Sequence, residues 1–354
     1  MKLDEGHVYI LNDVDDITGP SDYYKIGMVS KERTVKDRIE RDHQVGNPRL
    51  VVDIHSFHSE APFFVERHLH KHFAQFRIRR EWFRLTESQL EDVKKEAARY
   101  DNIIGPMLGD VRAFAKSPSN GNIIKLENKD KARIELLHSE LKNLRYKIYE
   151  IDFKANTIKE YLKLETAKHK GGIDGITKVT VRGGGSPSFT ATIFRDSSPA
   201  NKAIYDSFCT KKSIGGKFKT EDLDTKAKKF PKLHLEEKAA KDKYTADKAT
   251  HDNIVDGSIP RTKMLEDKHK EYIQLVMEKE EVEVEIILRE LEIKKLCGDN
   301  DGIEGICTWK RKESFAFDAT AFKNQHPEIV EDPKYHSVSK KTVAISVNPS
   351  RDYV

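Results

Sequence analysis

A short run of histidines with one glutamate, VERHLHKHF at residues 65–73, holds the side chains best suited to chemistry. On a helix, Glu66 and His70 are four residues apart and share one face, while His68 and His72 share another. A carboxylate beside imidazoles can bind a divalent cation or take part in acid–base chemistry. The spacing of His68 and His72 also fits a zinc pair, although the glutamate of the HExxH motif is missing.

Positive charge is concentrated in the same stretch. Between Arg67 and Arg84 the chain has six lysines and arginines and a single acid, Glu81. Phosphate contact is a natural use of such a patch, since each cation that reaches a phosphate releases counterions. Taken alone, such a basic run is more often a solvated face than a phosphate-binding site. Its predicted nucleic-acid-binding residues are Arg67, Lys71, Arg77, Arg79 and Arg80.

The elements that must position these residues form a small α+β domain. Two β-rich runs, 6–12 and 23–29, flank a polar turn, and a short helix near Val35–Asp42 precedes a strand at Leu50–Phe57. A second helix, Pro62–Phe73, then precedes EWFRL and a helix near 87–100. The order β-β-α-β-α predicts a central antiparallel sheet flanked by helices.

Composition sets wider limits. The length of 354 residues favours two or three folding units. The composition, 37% hydrophobic and 34% charged, favours long solvated helices. The formal net charge of +4 is too small to support a whole-molecule argument about nucleic acid. No apolar run reaches the ~18 residues of a membrane span, and the three cysteines lack CxxC spacing. We therefore expect a cytoplasmic protein with reduced thiols and no membrane partner.

The N-terminal motifs together resemble the GIY-YIG nuclease family. The resemblance rests on GHVYIL, YYKIG, DRIERD, VERHLHKHF and EWFRL, in that order over residues 6–86. More narrowly, the chain resembles the phage and bacterial branch whose second motif reads YKIG and whose Glu-x-x-x-His helix precedes Glu-Trp-Phe. The resemblance implies a metal-dependent endonuclease that hydrolyses DNA, in a bacterium or in a phage-infected host.

The resemblance also implies roles for single residues. Tyr9 corresponds to the tyrosine that acts as general base, or relays the proton, for the attacking water. Arg38 corresponds to the arginine that binds the scissile phosphate. Glu66 corresponds to the glutamate that holds one Mg²⁺ or Mn²⁺. A nearby cation would favour the phenolate of Tyr9.

The chain departs from the family pattern at several positions. The second-motif tyrosine is replaced by Lys25, which we expect near a phosphate with Tyr24 packed beside it. Gly27 fits the glycine that leaves room at the site. The position one helical turn after Arg38 is Asp42, so His43 is a weaker candidate than in other members. The late asparagine has no match, and His70 either contributes to catalysis or only orients Glu66.

Beyond the first domain the periodicity changes to heptads. Residues Ile134 to Leu162 carry a regular a/d seam, and Met264 to Leu296 carries a looser one that includes Val284 and Ile287. Between them, 176–182 and 189–194 are predicted to form a hairpin.

The predicted segments are the nuclease domain at 1–115, a linker at 116–122, a coiled-coil helix at 123–170, an inserted hairpin and lysine-rich helical region at 171–260, a second long helix at 261–297 and a β-containing tail at 298–354.

The tail offers a second, partial resemblance. Residues 296–329 resemble the end of YqaJ-type phage recombination exonucleases, but nothing before them resembles that family's nuclease core. We interpret the tail as a module that contacts DNA or a partner. Its predicted contact strip is Trp309, Lys310, Arg311 and Lys312, of which Lys310 and Arg311 would bind nucleic acid.

Three functions remain open from sequence. The first is an endonuclease that acts on DNA, most simply on double strands. The second is a protein on the same fold that binds nucleic acid but cleaves weakly or not at all, because the second tyrosine and the asparagine are missing. The third is an oligomeric coiled-coil scaffold, in which the long helices pair between copies of the chain.

Overall fold

The chain divides into two compact units. The computed structural model describes residues 4–167, 169, 171–182, 185–248, 257–338 and 342–348. The N-terminal unit runs to Ser117 and includes Leu291–Asp299, and the second unit comprises Pro118–Glu290 and the residues from Asn300 onward. Among the described residues, no helix combines the length and the apolar composition that crossing a lipid bilayer requires.

The N-terminal unit is α+β, as the sequence predicts. Its elements are β1 (Gly6–Asp15), β2 (Gly19–Ser30), α1 (Val35–Arg38), β3 (Leu50–Ser59), α2 (Pro62–His72), β4 (Arg77–Arg79), β5 (Trp82–Arg84) and α3 (Glu87–Ala115). The five strands form one antiparallel sheet in the order β3-β1-β2-β5-β4. The predicted hairpin is confirmed: Asp15 accepts hydrogen bonds from the backbone of Ile17 and Thr18, and Gly19 adopts φ +77°.

Two local features shape the site end of the sheet. Immediately after α1, residues Ile39–His43 form a π-helical turn, in which Gln44 N–H donates to Ile39 C=O at 2.8 Å, a bond between residues five apart. Between β4 and β5 the two-residue turn contains Arg80 at φ 54°, a conformation that costs a residue with a Cβ about 1–2 kcal/mol. Glu81 is the second residue of this turn.

The second unit combines long helices with small sheets. Its elements are β6 (Ile123–Ile124), α4 (Asn128–Thr166), β7 (Thr177–Arg182), β8 (Ser188–Phe189), α5 (Ala191–Asp196), α6 (Pro199–Ser207), β9 (Cys209–Thr220), α7 (Lys226–Lys229), α8 (Pro231–Lys248), α9 (Lys263–Cys297), β10 (Gly302–Ile303), β11 (Cys307–Phe317), α10 (Ala319–Gln325), α11 (Pro327–Glu331), β12 (His336–Ser337) and β13 (Thr342–Val347). The last turns of α9 belong to the N-terminal unit.

The helices α4 and α9 run antiparallel beside each other. Arg289 pairs with Glu140 at 2.6 Å and Lys279 with Asp152 at 2.6 Å, so residue numbers rise along one helix as they fall along the other. The predicted seam of α4 is buried from Ile134 to Leu162, apart from half-buried Leu144. In α9 the buried positions include Val282 and Ile286, so the predicted seam at Val284 and Ile287 is shifted.

The predicted hairpin of 176–182 with 189–194 does not form. Strand β7 pairs instead with β13, and β8 pairs with β12, so each partner comes from the far end of the chain. Residues 191–196 form a helix because Phe194 packs in an aromatic cluster with Phe322 and Tyr335. The turn residues of the sequence could not reveal these distant partners. Residues 183–184 of the predicted turn lie outside the described residues.

Asp301 and Arg311 form a buried ion pair in the four-stranded sheet β6-β10-β11-β9. The Arg311 guanidinium donates to Asp301 at 3.2 Å, and the same carboxylate accepts from Gly121 N–H at 2.9 Å. Asp301 thus joins the segment between α9 and β10 to the loop that precedes β6. Arg311 is 1% exposed, so its predicted place on a nucleic-acid contact strip is wrong.

Replacing Asp301 with alanine leaves the Arg311 charge buried without its carboxylate. We expect Asp301→Ala to lower the free energy of unfolding by about 3–5 kcal/mol, measured by urea denaturation. The control is Glu304→Ala, an exposed carboxylate just after β10 that pairs with exposed Lys125, which should change it by less than ~1 kcal/mol. Equal losses in the two variants would contradict this account of the buried pair.

Candidate functional site

Tyr9, Lys25 and Gly27 lie on one face of the β1–β2 hairpin. Tyr9 is directly opposite Gly27 in the antiparallel register, and Lys25 is two residues along the same strand. Tyr9 is 1% exposed, and a Cβ on Gly27 would lie 2.5 Å from the Tyr9 hydroxyl oxygen. A glycine is therefore required there, as the sequence predicts. Tyr24 points to the opposite face of β2, so the structure does not bring it beside Lys25.

The π-helical turn brings two further side chains to the Tyr9 hydroxyl. Arg38 Nε donates to the hydroxyl at 3.4 Å, and His43 Nε2 lies 3.5 Å from the same oxygen. Residues five apart would diverge on an α-helix, but a π turn inserts one extra residue and returns His43 to the side of Arg38. Asp42, the position that α-helical spacing favours, instead binds the Arg38 and Arg33 guanidinium groups.

Burial around Tyr9 favours a neutral phenol with a neutral imidazole beside it. Burial raises the pKa of Tyr9 above its usual value, and the hydrogen bond from Arg38 offsets this only in part. Burial, followed by the positive charges of Lys25 and Arg38, lowers the pKa of His43 below 6.5. At neutral pH His43 is therefore uncharged, and its Nε2 can accept a proton that leaves Tyr9.

Glu66 is a half-buried carboxyl group with no ion-pair or hydrogen-bond partner in the described part of the chain. Burial raises the pKa of Glu66 to about 7, and the negative charge of Glu81 adds to this, although Arg67, Lys25 and Arg38 oppose it. A buried carboxylate without a compensating charge is unfavourable. A divalent cation would supply that charge, so the donor chemistry at Glu66 fits Mg²⁺ or Mn²⁺.

Glu81 and His70 hold strand β2 in place beside this carboxyl. The Lys25 ammonium forms an ion pair with Glu81, and although burial acts in the other direction, this pair lowers the pKa of Glu81. His70 Nε2 lies 2.9 Å from the Ile26 carbonyl oxygen, and burial lowers the pKa of His70 to about 4. His70 is thus a neutral donor to the backbone next to Gly27. The structure gives it this positioning contact and no contact with Tyr9.

Two site residues, Glu81 and Asp42, are not among those predicted from the sequence. Each binds a cation that the sequence did predict: Glu81 binds Lys25, and Asp42 binds Arg38. The signal for Glu81 was present, because it is the single acid of the basic run. The signal for Asp42 was also present, because Asp42 lies four residues after Arg38, the spacing of an ion pair on one helix face.

The predicted phosphate-binding cations of the N-terminal unit are mostly exposed. Lys71, Arg77, Arg79 and Arg80 face solvent. Arg67 is half-buried, with its guanidinium 5.6 Å from the centre of the Phe63 ring. In the second unit Lys310 is exposed, in contrast to Arg311.

Comparison with known proteins gives one match. Residues 6–98 match the family model of the T5orf172 domain, which covers about a quarter of the chain. The T5orf172 domain is GIY-YIG-like and associated with phage nucleases, so this region is of a nuclease-like or DNA-binding class. No curated protein and no solved structure matches the chain. The resemblance of the tail to YqaJ-type exonucleases remains a prediction.

Replacing Glu66 with glutamine should stabilise the metal-free protein above neutral pH. A carboxyl whose pKa is about 7 in the folded state and 4.5 unfolded loses stability as the pH rises from 4.5 to 7. Glutamine carries no such charge, so in EDTA the gain should grow over this interval to about 1–3 kcal/mol at pH 8. Urea denaturation at several pH values measures this gain.

The matched control is Glu91→Gln, an exposed carboxylate on α3 that pairs with Lys94. It should shift the free energy of unfolding by less than ~0.5 kcal/mol at every pH. A Glu66→Gln variant that is less stable than the wild type at pH 8 would show that the carboxylate is compensated in the folded state.

Proposed function

We propose that the N-terminal unit is a metal-dependent endonuclease that hydrolyses phosphodiester bonds of DNA. One observation carries the proposal: the Tyr9 hydroxyl is in reach of both Arg38 and His43, beside the uncompensated carboxyl of Glu66. A hydroxyl, a cation, a proton acceptor and a metal ligand are the groups that an in-line attack of water on phosphorus requires. The T5orf172 match supports the same class.

Each residue has a role that its surroundings permit. The phenol of Tyr9 takes the proton of the attacking water as its own proton passes to His43, so neither a stable phenolate nor a charged imidazole is needed beforehand. Arg38 stabilises the charge that grows on the phosphate oxygens. Lys25 adds positive charge, while Glu81 keeps its ammonium on the Tyr9 face. One Mg²⁺ or Mn²⁺ at Glu66 would act as a Lewis acid on the phosphate.

The second candidate function is binding without cleavage. The raised pKa of Tyr9 favours this reading, because a phenol that holds its proton is a weak base in the absence of an acceptor. Both functions require the basic surface of the N-terminal unit, and both predict DNA binding that weakens as salt is added. Only the endonuclease predicts metal-dependent nicking.

The nicking of supercoiled plasmid separates the two functions. With Mg²⁺ or Mn²⁺ we expect the wild type to nick DNA, and EDTA to abolish nicking. Tyr9→Phe and His43→Ala should each slow nicking by about 10²–10⁴-fold, because each interrupts the proton transfer. Glu66→Gln should slow it at least as much, because the metal ligand is lost.

The controls are Tyr23→Phe, an exposed tyrosine of the neighbouring strand β2, and Glu91→Gln; both should nick as fast as the wild type. If the wild type binds plasmid but nicks it no faster with metal than without, the binding function is correct. If Glu66→Gln nicks as the wild type does, the assigned metal ligand is wrong.

We further propose that β9 and β11 carry a second DNA-contacting surface. Lys217 is directly opposite Lys310 in the antiparallel register, and Lys219 and Lys312 lie two residues from them along the same strands. All four are exposed, and within the described residues none has an ion-pair partner. Like charges that face each other across two strands are destabilising, which an anionic phosphate backbone would relieve. We call these four residues the lysine face.

The lysine face keeps Lys310 and Lys312 of the predicted contact strip but not Trp309 and Arg311, which are buried. Reversing two of its charges, with Lys217→Glu and Lys310→Glu together, should reduce the slope of log affinity against log salt by about 2 for double-stranded DNA, since each phosphate contact contributes ~0.9. Fluorescence anisotropy at several salt concentrations measures the slope. The control is Lys232→Glu with Lys241→Glu on α8, which makes the same change in net charge on exposed positions. Equal slopes in the two double variants would refute a localised surface.

A further inference from the structure

A cluster of three metal-binding side chains lies on the face of α2 that the proposed nuclease site does not use. His68 and His72 are four residues apart on α2, and Glu96 comes from the neighbouring helix α3. The ligand atoms of all three lie within 4.8 Å of one another. From sequence, His68 and His72 formed only a possible zinc pair without a third ligand. The fold supplies that third ligand from a residue 24 positions beyond His72.

We propose that His68, His72 and Glu96 form a binding site for Zn²⁺ or a similar transition-metal ion, distinct from the magnesium ligand at Glu66. Two imidazole nitrogens and one carboxylate oxygen are a usual ligand set for zinc, with water completing a tetrahedron. They are a poor set for Mg²⁺, which prefers oxygen ligands. Because the ligands come from two helices, the ion would hold α2 and α3 together. Helix α2 also carries Glu66 and His70.

The geometry requires only a small adjustment. His68 Nε2 now lies 2.6 Å from Glu96 Oε1, and two ligand atoms on a tetrahedral zinc ion are about 3.3 Å apart. The side chains of His68 and Glu96 must therefore separate by less than ~1 Å. The ring of His68 stacks on Tyr100 with centroids 3.8 Å apart, which holds the imidazole in a defined orientation. His72 is exposed, so an ion can approach from solvent.

A purely structural explanation accounts for only part of the cluster. The hydrogen bond from His68 to Glu96, the stacking on Tyr100 and the pairing of Arg99 with Glu96 explain two of the three ligands without a metal. They do not involve His72, whose ring centroid lies 5.6 Å from that of His68. His72 is therefore the residue whose removal separates the two explanations.

The test uses the full-length protein, with Zn²⁺ binding followed by calorimetry and Co²⁺ binding followed by the visible absorption of a tetrahedral site. We expect one ion per chain at the cluster. His72→Ala and Glu96→Gln should each weaken binding at least ~10-fold, since even ligands of the second shell contribute that much. Both substitutions are at the surface of helices, and Glu96→Gln retains an acceptor for His68. The melting temperature of the wild type, but not of His72→Ala, should rise with Zn²⁺ concentration.

Two control variants locate the ion. His58→Ala removes the histidine of another group with metal-ligand chemistry, Glu5, His58 and Glu60, and Glu66→Gln removes the proposed magnesium ligand. Both should bind Zn²⁺ as the wild type does. The proposal is overturned if the wild type binds no Zn²⁺, if His72→Ala binds it unchanged, or if His58→Ala or Glu66→Gln is the variant that loses binding.

Discussion

The structure of the N-terminal unit depends on how charged side chains are paired at one end of its five-stranded sheet. Lys25 forms an ion pair with Glu81, and Arg38 forms one with Asp42, so each of these positive charges has an acidic partner. Glu66 has no such partner, and its pKa rises to about 7. The unit therefore carries a carboxyl group whose charge is unfavourable until a cation arrives, next to the hydroxyl that a hydrolytic reaction would use. The unpaired charge of Glu66 lowers the stability of the folded unit, a cost that functional groups often carry.

Two backbone features make that arrangement possible. Gly27 leaves the space that the Tyr9 ring occupies, because any side chain there would overlap the hydroxyl. The π turn at Ile39–His43 adds one residue to a helical turn, and so directs both Arg38 and His43 at the same oxygen. Neither feature contributes a chemical group of its own. Both determine which groups meet.

The sequence predicted strands β1, β2, β3 and β5 and the helices of the N-terminal unit in their order, because its turns and hydrophobic alternation are local. It did not predict β4 at Arg77–Arg79. Motif order also indicated Tyr9, Arg38 and Glu66, which the structure brings near one another. The π turn was not predictable, since a helix of ordinary period was the only template available for that segment. In the second unit, the failed hairpin at 176–194 and the buried Arg311 share one cause. The strands of 176–194 pair with residues more than a hundred positions away, and the Asp301 carboxylate that binds Arg311 is held by Gly121, 180 residues earlier. Short-range patterns encode neither contact.

Burial raises the pKa of Glu66, and we propose that a divalent cation compensates the charge of its carboxylate. A carbon-13 NMR titration of the glutamate side chains in the full-length protein tests this directly, with the Glu66 signal identified by its loss in Glu66→Gln. Without metal we expect a midpoint near pH 7, and with saturating Mg²⁺ a midpoint well below it, because the ion competes with the proton. A midpoint near 4.5 in both conditions, or one near 7 that Mg²⁺ does not move, would contradict the account.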